Sequence, residues 1–478
     1  MRILFVAAEV APFSKTGGLG DVADALPESL QGIGHDLMVV SPFYSRLHEG
    51  NHRVHRVFES VPITLLGGEP FDAYLAEDGR NWFVDYPPYF ERDGIYRNDG
   101  DEHRRFLFLT HAALELCRRR AWSPEVAHCN DWHTGLLPLL LRSIYQSDPV
   151  LARTRSIFTI HNLAYQGAFG ADIVTDLSLG NQVYLLHQDH LRQGRLNFME
   201  HALMYADAIT TVSPTYAYEI QTPEYGVGLD GILRHRTRDL YGILNGIDTT
   251  VWNPRTDTLI PSNYSESELE AKAKNKSALL ERGKMDPASD RMTVGVVSRL
   301  TGQKGIELMI RPLARRLESG DINFVALGSG ENRYEQALKW LASTFPGAAY
   351  FQQGYDENLA HLIEAGADAF LMPSRYEPSG LNQMYSLAYG TPPIVRRTGG
   401  LADTVTHYDA RRGEGTGFVF DHYTEVGLVW ALDQALSVFE NRTLWERLQK
   451  NGMAEDNSWE QRASEYDHLY RRVTENHL

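Results

Sequence analysis

The sequence predicts an α/β fold in which doubly wound, mostly parallel sheets form two Rossmann-like domains. Short apolar runs alternate with longer amphipathic segments along most of the chain. Continuous apolar runs of this kind are typical of parallel strands that helices cover on both faces. The alternation breaks once, near the middle, and at 478 residues the chain is also too long for one ordinary core.

The predicted strands fall into two groups, one on either side of that break. Before it, the strands are residues 2–8, 35–43, 125–131, 156–162 and 208–214. After it, they are residues 292–300, 322–330, 348–354, 369–377 and 392–400. Shorter apolar runs at about residues 60–100 predict an inserted antiparallel piece in the first group, and only helices are predicted after Phe420.

The break itself predicts a crossing between two domains. Residues 245 to about 263 are irregular and contain prolines, and a highly charged helix follows them before the strand that begins at about Met292. We therefore predict an N-terminal domain over residues 1–244 and a C-terminal domain over residues 245–457, with a hinge near Asn245 and Gly246. The final helix, residues 458–478, is expected to cross back to the N-terminal domain.

Composition and charge exclude several classes of protein. The 43% hydrophobic and 23% charged residues are those of a soluble globular protein, and no apolar run approaches the length of a membrane span. A net charge of −16 argues against a nucleic-acid partner, although a few local cations can still bind a small anion. Two cysteines provide no disulfide framework. The apolar start resembles a signal peptide, but Glu9 interrupts it, so we predict a buried first strand.

The unusual residues of the first half follow predicted strands, where open α/β sheets bind their ligands. Lys15 precedes paired glycines, Gly17 and Gly18, which open the first helix and let a ligand approach the backbone closely. The alternative is a plain strand-to-helix turn in which Asp21 caps the helix. The sequence leaves both interpretations open.

Polar residues also follow the later strands of this half: Asp131, His133, His161 and Asn162. Their grouping favours a site, although a lone histidine is more often a packing residue. The histidines lack the spacing of a metal-binding motif, so no metal site is expected. Tyr96 is either a sugar-facing aromatic residue or a surface tyrosine.

In the second half, "SRLTGQKG" places Arg299 and Lys304 after a strand, where a planar donor and a mobile cation suit a diphosphate. The alternative is a pair of exposed loop cations. In "RYEPSGLNQMY", the amides of Gly380 and Leu381 suit phosphate, while Glu377 suits a polyol or, alternatively, caps the helix.

Eight motifs together identify a family resemblance. In order they are "KTGGLGDV", "DWHTGL", "IHNLAYQG", "VSPTYAYEI", "LNGID", "SRLTGQKG", "RYEPSGLNQMY" and "RRTGGLADTV". With them the chain resembles, from its first residue to its final helix, bacterial glycogen synthase and plant starch synthase. The resemblance implies the GT-B fold, in which two Rossmann-like domains face across a deep crevice and close on each other. It also implies retaining transfer of glucose from ADP-glucose to the nonreducing end of an α-1,4-glucan.

The resemblance assigns roles to individual residues. The catalytic residues it implies are Glu377, His161, Lys304 and Arg299. The donor-binding residues it implies are Lys15, Gly18, Asn162, Asn245, Arg299, Lys304, Tyr355, Glu377, Gly380, Leu381 and Thr398. Tyr96 and Asp131 match positions on the acceptor side. No cofactor, metal, nucleic acid or membrane is implied, and the expected location is the bacterial cytoplasm or, in a plant, the plastid stroma.

Two departures from related motifs bear on activity. Many retaining GT-B enzymes carry a second glutamate eight places after the first, but Tyr385 stands there, as in glycogen and starch synthases. Ser379 replaces the cysteine that bacterial relatives commonly have, with a modest expected effect. UDP-glucose as donor and an inactive glucan-binding protein remain alternatives, and a sucrose- or trehalose-type transferase fits the motifs less well.

The tetrapeptide TGGL occurs twice, at residues 16–19 and 398–401. A shared tetrapeptide is expected about once by chance in a chain of this length and proves no internal repeat. Both copies follow a predicted strand and open a predicted helix. We therefore hypothesise that both glycine pairs let phosphate or sugar approach bare backbone, with Thr398, Gly399 and Gly400 lining the donor pocket.

Overall fold

The computed structural model of the chain describes residues 1–45, 47 and 53–475. The chain divides into two compact units. The first unit comprises Met1–Gly246 together with the chain from Trp459 onward, and the second comprises Ile247–Ser458. The division falls after Gly246, whereas the sequence placed it after Leu244, so Asn245 belongs to the first unit.

The strands of the first unit include all of those predicted for the first half. They are β1 Arg2–Val6, β2 Asp36–Pro42, β3 Val54–Ile63, β4 Glu69–Ala76, β5 Asn81–Asp85, β6 Val126–Asn130, β7 Arg155–Ile160, β8 Ala168–Gly170, β9 Arg195–Asn197, β10 Ala208–Thr211 and β11 Leu240–Gly242. Strands β8 and β9 form a separate ribbon, and the others form one sheet in the order β11-β10-β7-β6-β1-β2-β5-β4-β3. The inserted piece extends this sheet: β5 pairs parallel with β2, and β4 pairs antiparallel with both β5 and β3.

Helices follow the strands of the first unit. They are α1 Gly18–Gly32, α2 Pro87–Phe90, α3 Glu102–Arg119, α4 Leu137–Arg142, α5 Gln188–Arg192, α6 Phe198–Tyr205, α7 Pro214–Glu219 and α8 Asp230–His235. Short 3-10 helices occupy Thr64–Leu66, Trp132–Thr134, Ala171–Leu177, Gly180–Leu185 and Thr237–Asp239.

The second unit is a fully parallel sheet with helices between its strands. The strands are β12 Met292–Leu300, β13 Ile322–Gly330, β14 Ala349–Gln353, β15 Ala369–Met372, β16 Pro393–Arg396 and β17 Phe418–Phe420, in the order β14-β13-β12-β15-β16-β17. The helices are α9 Lys272–Arg282, α10 Ile306–Ser319, α11 Asn332–Thr344, α12 Glu357–Gly366, α13 Asn382–Ala388, α14 Gly399–Thr404, α15 Glu425–Phe439 and α16 Arg442–Met453, with 3-10 turns at Leu269–Ala271 and Gly302–Lys304. Every strand predicted for the second half is present.

The last helix, α17, runs over Trp459–Glu475 and packs in the first unit. Its Trp459 and Tyr470 belong to the same buried cluster as Phe5 of β1. The Tyr470 hydroxyl also lies 2.7 Å from Nδ1 of the fully buried His128 of β6. The amphipathic face of α17 therefore covers the centre of the first sheet.

Of the helices that the structure describes, none combines the length and the apolar character needed to cross a membrane.

Candidate active site

Each large sheet has one place where the strand order reverses. In the first sheet β1 lies between β2 and β6, and in the second β12 lies between β13 and β15. Open α/β sheets bind ligands beyond the carboxyl ends of the strands at such a place. Apart from Tyr96 and Asn245, the predicted site residues of the first unit follow β1, β6 and β7, and those of the second lie at or after the ends of β12, β14, β15 and β16.

Glu377 and Lys304 form the centre of the site in the second unit. Lys304 follows β12 and Glu377 follows β15, and these two strands are neighbours, so their loops meet. Lys304 Nζ lies 2.6 Å from Glu377 Oε2, and the Ser374 hydroxyl donates to the same oxygen at 3.0 Å. The Glu377 side chain is only 6% exposed. A buried carboxylate held by a cation and a hydroxyl is fixed in position.

The loop from Glu377 to Gly380 is held by its carbonyl groups. Gly400 N–H donates to the carbonyls of Glu377 and Pro378, at 3.1 and 3.2 Å. Gln383 Nε2 donates to the carbonyls of Ser379 and Gly380, at 3.0 and 3.1 Å. Each carbonyl of this loop is thus bonded to the body of the second unit.

The second TGGL sequence packs directly against this loop. A Cβ atom on Gly399 would overlap the carbonyl oxygen of Glu377, and one on Gly400 would overlap the backbone of Ser379. Gly399 also has φ = +42°, in the region that disfavours residues with a Cβ. The hypothesis that these two glycines let a ligand approach bare backbone is therefore wrong, because the neighbouring loop occupies that space. Thr398, which precedes them, is fully buried.

Two further predicted residues of the second unit are exposed. Arg299 lies on the surface at the end of β12. Tyr355 is 71% exposed, and its hydroxyl donates to Glu357 at 2.5 Å. A guanidinium and an aromatic ring in these positions are open to a ligand. The assignment of Arg299 to the donor diphosphate and of Tyr355 to the donor base stays a prediction.

Tyr385 has a packing role. Its ring stacks on Trp252 with centroids 3.9 Å apart, and Trp252 stacks on His361 at the same 3.9 Å. His361 Nδ1 in turn lies 2.8 Å from the buried carboxylate of Asp257. The position at which many retaining GT-B enzymes carry a second glutamate is here part of an aromatic stack.

In the first unit, Glu9 holds the glycine loop that follows β1. Its Oε2 accepts the backbone N–H of Thr16 at 2.5 Å and that of Gly17 at 3.3 Å. Its Oε1 accepts the Tyr96 hydroxyl at 2.6 Å. Burial raises the pKa of the Glu9 carboxyl, and these hydrogen bonds oppose that rise. Tyr96 is therefore a partner of the glycine loop, with its hydroxyl turned inward while the residue remains 42% exposed.

Lys15 is the exposed cation of this loop. Its Nζ pairs with Asp21 at 2.7 Å, and the two side chains are 48% and 31% exposed. The helix that follows begins at Gly18, with Gly17 as its N-cap residue and no side-chain cap. Asp21 lies in the first turn of this helix and not at its N-cap position.

Asp131 is the most constrained residue of the first unit's site. It has φ = +54° and ψ = 179°, a conformation that costs a residue with a Cβ on the order of 1–3 kcal/mol. Its Oδ1 accepts the N–H of His161 at 2.8 Å, and the N–H of Asn162 also bonds to the carboxyl. Burial raises the pKa of Asp131 to about 7 despite these bonds.

His161 is a neutral hydrogen-bonding residue. Its Nε2 lies 2.9 Å from Oδ1 of Asn130, which can only accept, so Nε2 carries the proton. Asn130 is fixed in turn because its Nδ2 donates to the carbonyl of Val6 at 3.0 Å. Burial lowers the pKa of His161 to about 3. At neutral pH its Nδ1 atom therefore carries no proton and is an acceptor.

The other polar candidates of this unit are packed. His133 is 5% exposed between the rings of Tyr96 and Phe106, and burial lowers its pKa to about 3. It is a packing histidine beside the site. Asn245, predicted to bind the donor, is buried at 6% exposure after β11.

Two groups of side chains among the described residues bring together three potential metal ligands: His187, His190 and Glu200, and Asp99, Asp101 and Glu102. The rings of His187 and His190 are stacked 4.1 Å apart at 22°, and His190 Nδ1 lies 2.8 Å from Glu200 Oε2. The acidic group is already paired with Arg92 and Arg105. The expectation that no metal takes part stays a prediction.

A cavity of about 280 Å³ in the second unit lies away from these residues. Segments 247–255 and 453–457, with Glu266 and Ala388, line it, and none of the predicted site residues is among them. We assign the site by the strand ends and their side chains, because these carry the charges and hydrogen-bond donors.

Sequence reasoning missed four residues that build the site: Glu9, Asn130, Ser374 and Gln383. Glu9 had a signal, because a single carboxylate inside an apolar run at the end of a buried strand needs a partner. Gln383 and Ser374 had none, since a polar residue near a loop does not reveal which carbonyls or carboxylates it will meet.

Comparison with known proteins agrees with this architecture. The starch synthase catalytic domain model matches residues 2–235, and the glycosyl transferases group 1 model matches residues 280–453. Glycogen synthase from Anaeromyxobacter dehalogenans (strain 2CP-C) is 47% identical, over 99% of this chain and 100% of that protein. Glycogen synthase from Myxococcus xanthus (strain DK1622) is 44% identical, over 98% of this chain and 99% of that protein.

The chain belongs to the glycogen and starch synthase family.

A solved structure of this family shows how fully the fold is shared. The catalytic domain of starch synthase IV from Arabidopsis thaliana, bound to ADP and acarbose, superimposes with a TM-score of 0.90. It is 34% identical in sequence, and the match covers 99% of each chain. Family membership and the GT-B fold, both implied by the motifs, are thereby confirmed.

Proposed function

We propose that this protein transfers glucose from ADP-glucose to the nonreducing end of an α-1,4-glucan, with retention at the anomeric carbon. The observation that carries the proposal is the ion pair of Lys304 and Glu377 beside the loop 377–380, at the reversal point of the second sheet. This arrangement offers fixed cationic and amide donors next to a fixed carboxylate. A sugar diphosphate needs both kinds of partner.

The second unit supplies the groups that hold the leaving diphosphate. Within the described chain Lys304 places one of its three N–H donors on Glu377, which leaves the others for phosphate oxygens. Arg299 adds a planar donor at the end of β12, the strand that Lys304 follows. Stabilising the charge that develops on a departing diphosphate in this way is the largest single source of catalysis expected here.

Glu377 serves as an acceptor for glucose hydroxyls. A double displacement needs two carboxylates, a nucleophile and an acid, but the motif supplies only one because Tyr385 stands at the second position. We infer a front-face substitution. The bond between the anomeric carbon and the phosphate oxygen breaks, the glucan 4-hydroxyl bonds to the same face, and its proton passes to an oxygen of the departing diphosphate.

The first unit supplies neutral and anionic acceptors. His161 is neutral, with Nδ1 open to a hydroxyl of the transferred glucose, and Asn162 adds an amide beside it. Asp131 and Tyr96 are assigned to the acceptor glucan. Lys15, exposed at the glycine loop, is assigned to the donor phosphates.

ADP-glucose is favoured over UDP-glucose by the starch synthase IV structure, which was solved with ADP. Tyr355, whose ring is largely exposed, is assigned to the base. A reducing bacterial cytoplasm is the proposed location, because Cys117 and Cys129 are both buried and unpaired.

The test is nucleotide diphosphate release from ADP-glucose and from UDP-glucose in the presence of glycogen. We expect faster release from ADP-glucose, and chain extension that an α-1,4-specific amylase digests. Faster release from UDP-glucose would overturn the donor assignment. Absence of release with both donors, when the protein still binds glycogen, would identify a glucan-binding protein instead.

A further inference from the structure

We infer that Gln383 is a positioning residue that turns two backbone N–H groups of the donor loop, those of Gly380 and Leu381, towards the diphosphate. Gln383 is a fully buried residue of α13 that the resemblance did not assign. The inference rests on the proposed function, since it concerns how the same loop binds the same ligand.

The first step is the direction of the carbonyl groups. Gln383 Nε2 holds the carbonyls of Ser379 and Gly380, while Gly400 N–H holds that of Pro378. The peptide bonds of this loop are trans. In a planar trans peptide, the C=O of one residue and the N–H of the next point in opposite directions.

The second step follows from that geometry. Because the carbonyls of residues 378–380 point into the unit, the N–H groups of Ser379, Gly380 and Leu381 point away from Gln383 and Gly400. Within the described chain, none of these three N–H groups donates to a backbone carbonyl. Three aligned and unused N–H groups form an anion-binding concavity, and this one belongs to a loop that also carries the Lys304 and Glu377 pair.

The identity of the amide atoms of Gln383 is fixed by its surroundings. Its nitrogen faces two carbonyl oxygens and the Thr404 hydroxyl at 3.1 Å, so it is the donor. Its Oε1 is buried and accepts no hydrogen bond from the described residues. That oxygen occupies the space a Cβ on Gly380 would need, which explains a glycine at φ = +71°.

Gln383 therefore acts on the ligand only through the loop. Replacing its amide with an apolar group of similar size leaves the Ser379 and Gly380 carbonyls without a donor. Those peptides can then rotate, and the N–H groups lose their common direction. The interaction that weakens is the one between the loop and phosphate, so the binding of a nucleoside without phosphate should not change.

The test compares Gln383→Met with Ser386→Ala in the full-length protein, using ADP and adenosine as probes. Ser386 is equally buried on the same helix, but its hydroxyl bonds to Asn382 and Gln383 carbonyls inside the helix. We expect Gln383→Met to weaken ADP binding by about tenfold or more while adenosine binding stays unchanged. Ser386→Ala should leave both affinities within about twofold of the original protein.

Equal loss of ADP and adenosine binding in Gln383→Met, or no loss of either, would overturn the inference. If the original protein binds neither ADP nor UDP, the proposed function fails and the inference fails with it.

A second measurement guards against misfolding of the variant. Hydrogen exchange in the unmodified protein should show fast exchange at residues 379–381 without ligand, and protection with ADP but not with adenosine. Unchanged exchange at these residues on saturation with ADP would also overturn the inference.

Discussion

The two TGGL sequences place the same four residues in opposite environments. At residues 16–19, Thr16 and Gly18 are exposed, and the loop is held from one side by Glu9. At residues 398–401, every residue is buried and the glycines lie under the backbone of the loop 377–380. Even the helix start differs, since α1 begins at the second glycine and α14 at the first.

The difference shows that a glycine pair after a strand has two distinct uses. In the first copy the lack of a Cβ leaves open space above a loop that a carboxylate anchors. In the second copy it lets two protein backbones touch, and the neighbouring loop presents the N–H groups. The first copy thus forms the surface of its own loop, whereas the second copy supports the loop 377–380 from beneath.

The strongest test of this contrast is Gly399→Ala against Gly17→Ala. The Gly399 variant needs φ = +42° and a Cβ that overlaps Glu377, so we expect a loss of about 3 kcal/mol in the free energy of unfolding, together with most activity. Gly17 has φ = −149°, and its Cβ would lie 3.9 Å from Glu9. Its variant should keep its stability and lose activity alone, as measured by urea unfolding and glucose transfer.

A stable Gly399→Ala protein with normal ADP affinity would show that the second loop does not depend on this backbone contact. Equal destabilisation of both variants would remove the distinction between the two copies.

Lys304→Ala and Lys15→Ala compare the cations of the two loops. Lys304 neutralises a buried carboxylate, so its loss should lower kcat about a hundredfold and also destabilise the protein by about 3 kcal/mol. Lys15 pairs with Asp21 in a partly exposed position, so its variant should stay within about 0.5 kcal/mol of the original stability. Donor-saturated rates and thermal unfolding measure the two effects separately.

Near-normal turnover of Lys304→Ala at saturating donor would contradict its assignment to the leaving diphosphate. The double variant Lys304→Met, Glu377→Gln is the control for stability, because it removes the buried charge along with its partner.

The sequence predicted the fold well, because its signals are local. Buried parallel strands produce apolar runs such as residues 292–300, and the irregular stretch after Asn245 marked the change of unit. Contacts between loops produce no local signal. Nothing in "RRTGGL" shows that Gly399 will meet Glu377, residues that neighbouring strands β15 and β16 bring together only after the sheet has formed.

The site was therefore predicted as a set of residues and not as an arrangement. Lys304 and Glu377 were both named, but their ion pair depends on the pairing of β12 with β15. Asp131 was named for its side chain, although its positive φ could not be read from the sequence. Residues that act through another residue, such as Glu9 and Gln383, were the ones missed.

A smaller effect, confined to the first loop, should appear in the pH dependence of Glu9→Gln. Burial raises the pKa of Glu9 in the folded protein above its unfolded value. The folded state therefore holds the Glu9 proton more tightly than the unfolded state does. The stability that this proton contributes is fully present below the unfolded pKa of about 4.5, and it is lost as pH rises through the raised pKa of the folded state. Relative to Glu9→Gln, the original protein should lose stability as pH increases across that window.

Urea unfolding of both proteins at several pH values between about 4 and 7 measures this difference. Parallel stability curves would show that Glu9 titrates alike in the folded and unfolded states. Ser386→Ala serves as the pH-independent control, because the Ser386 hydroxyl donates to the backbone carbonyls of Asn382 and Gln383, which do not titrate.

The smallest expected effect is that of Ser379→Cys, which asks whether the loop 377–380 works through its backbone alone. Among the described residues, the Ser379 hydroxyl makes only a 3.3 Å bond to the Gly380 carbonyl, whereas the Ser379 carbonyl is a group that Gln383 holds. Cysteine keeps that backbone and nearly the same volume, so unfolding free energy should change by less than about 0.5 kcal/mol and donor KM by less than about twofold. Steady-state kinetics measure the second quantity, with Ser379→Val as the variant that adds bulk at the same position. A tenfold rise in donor KM for the cysteine variant would mean that the hydroxyl itself contacts the ligand, and the two TGGL loops would then differ in side-chain chemistry as well as in packing.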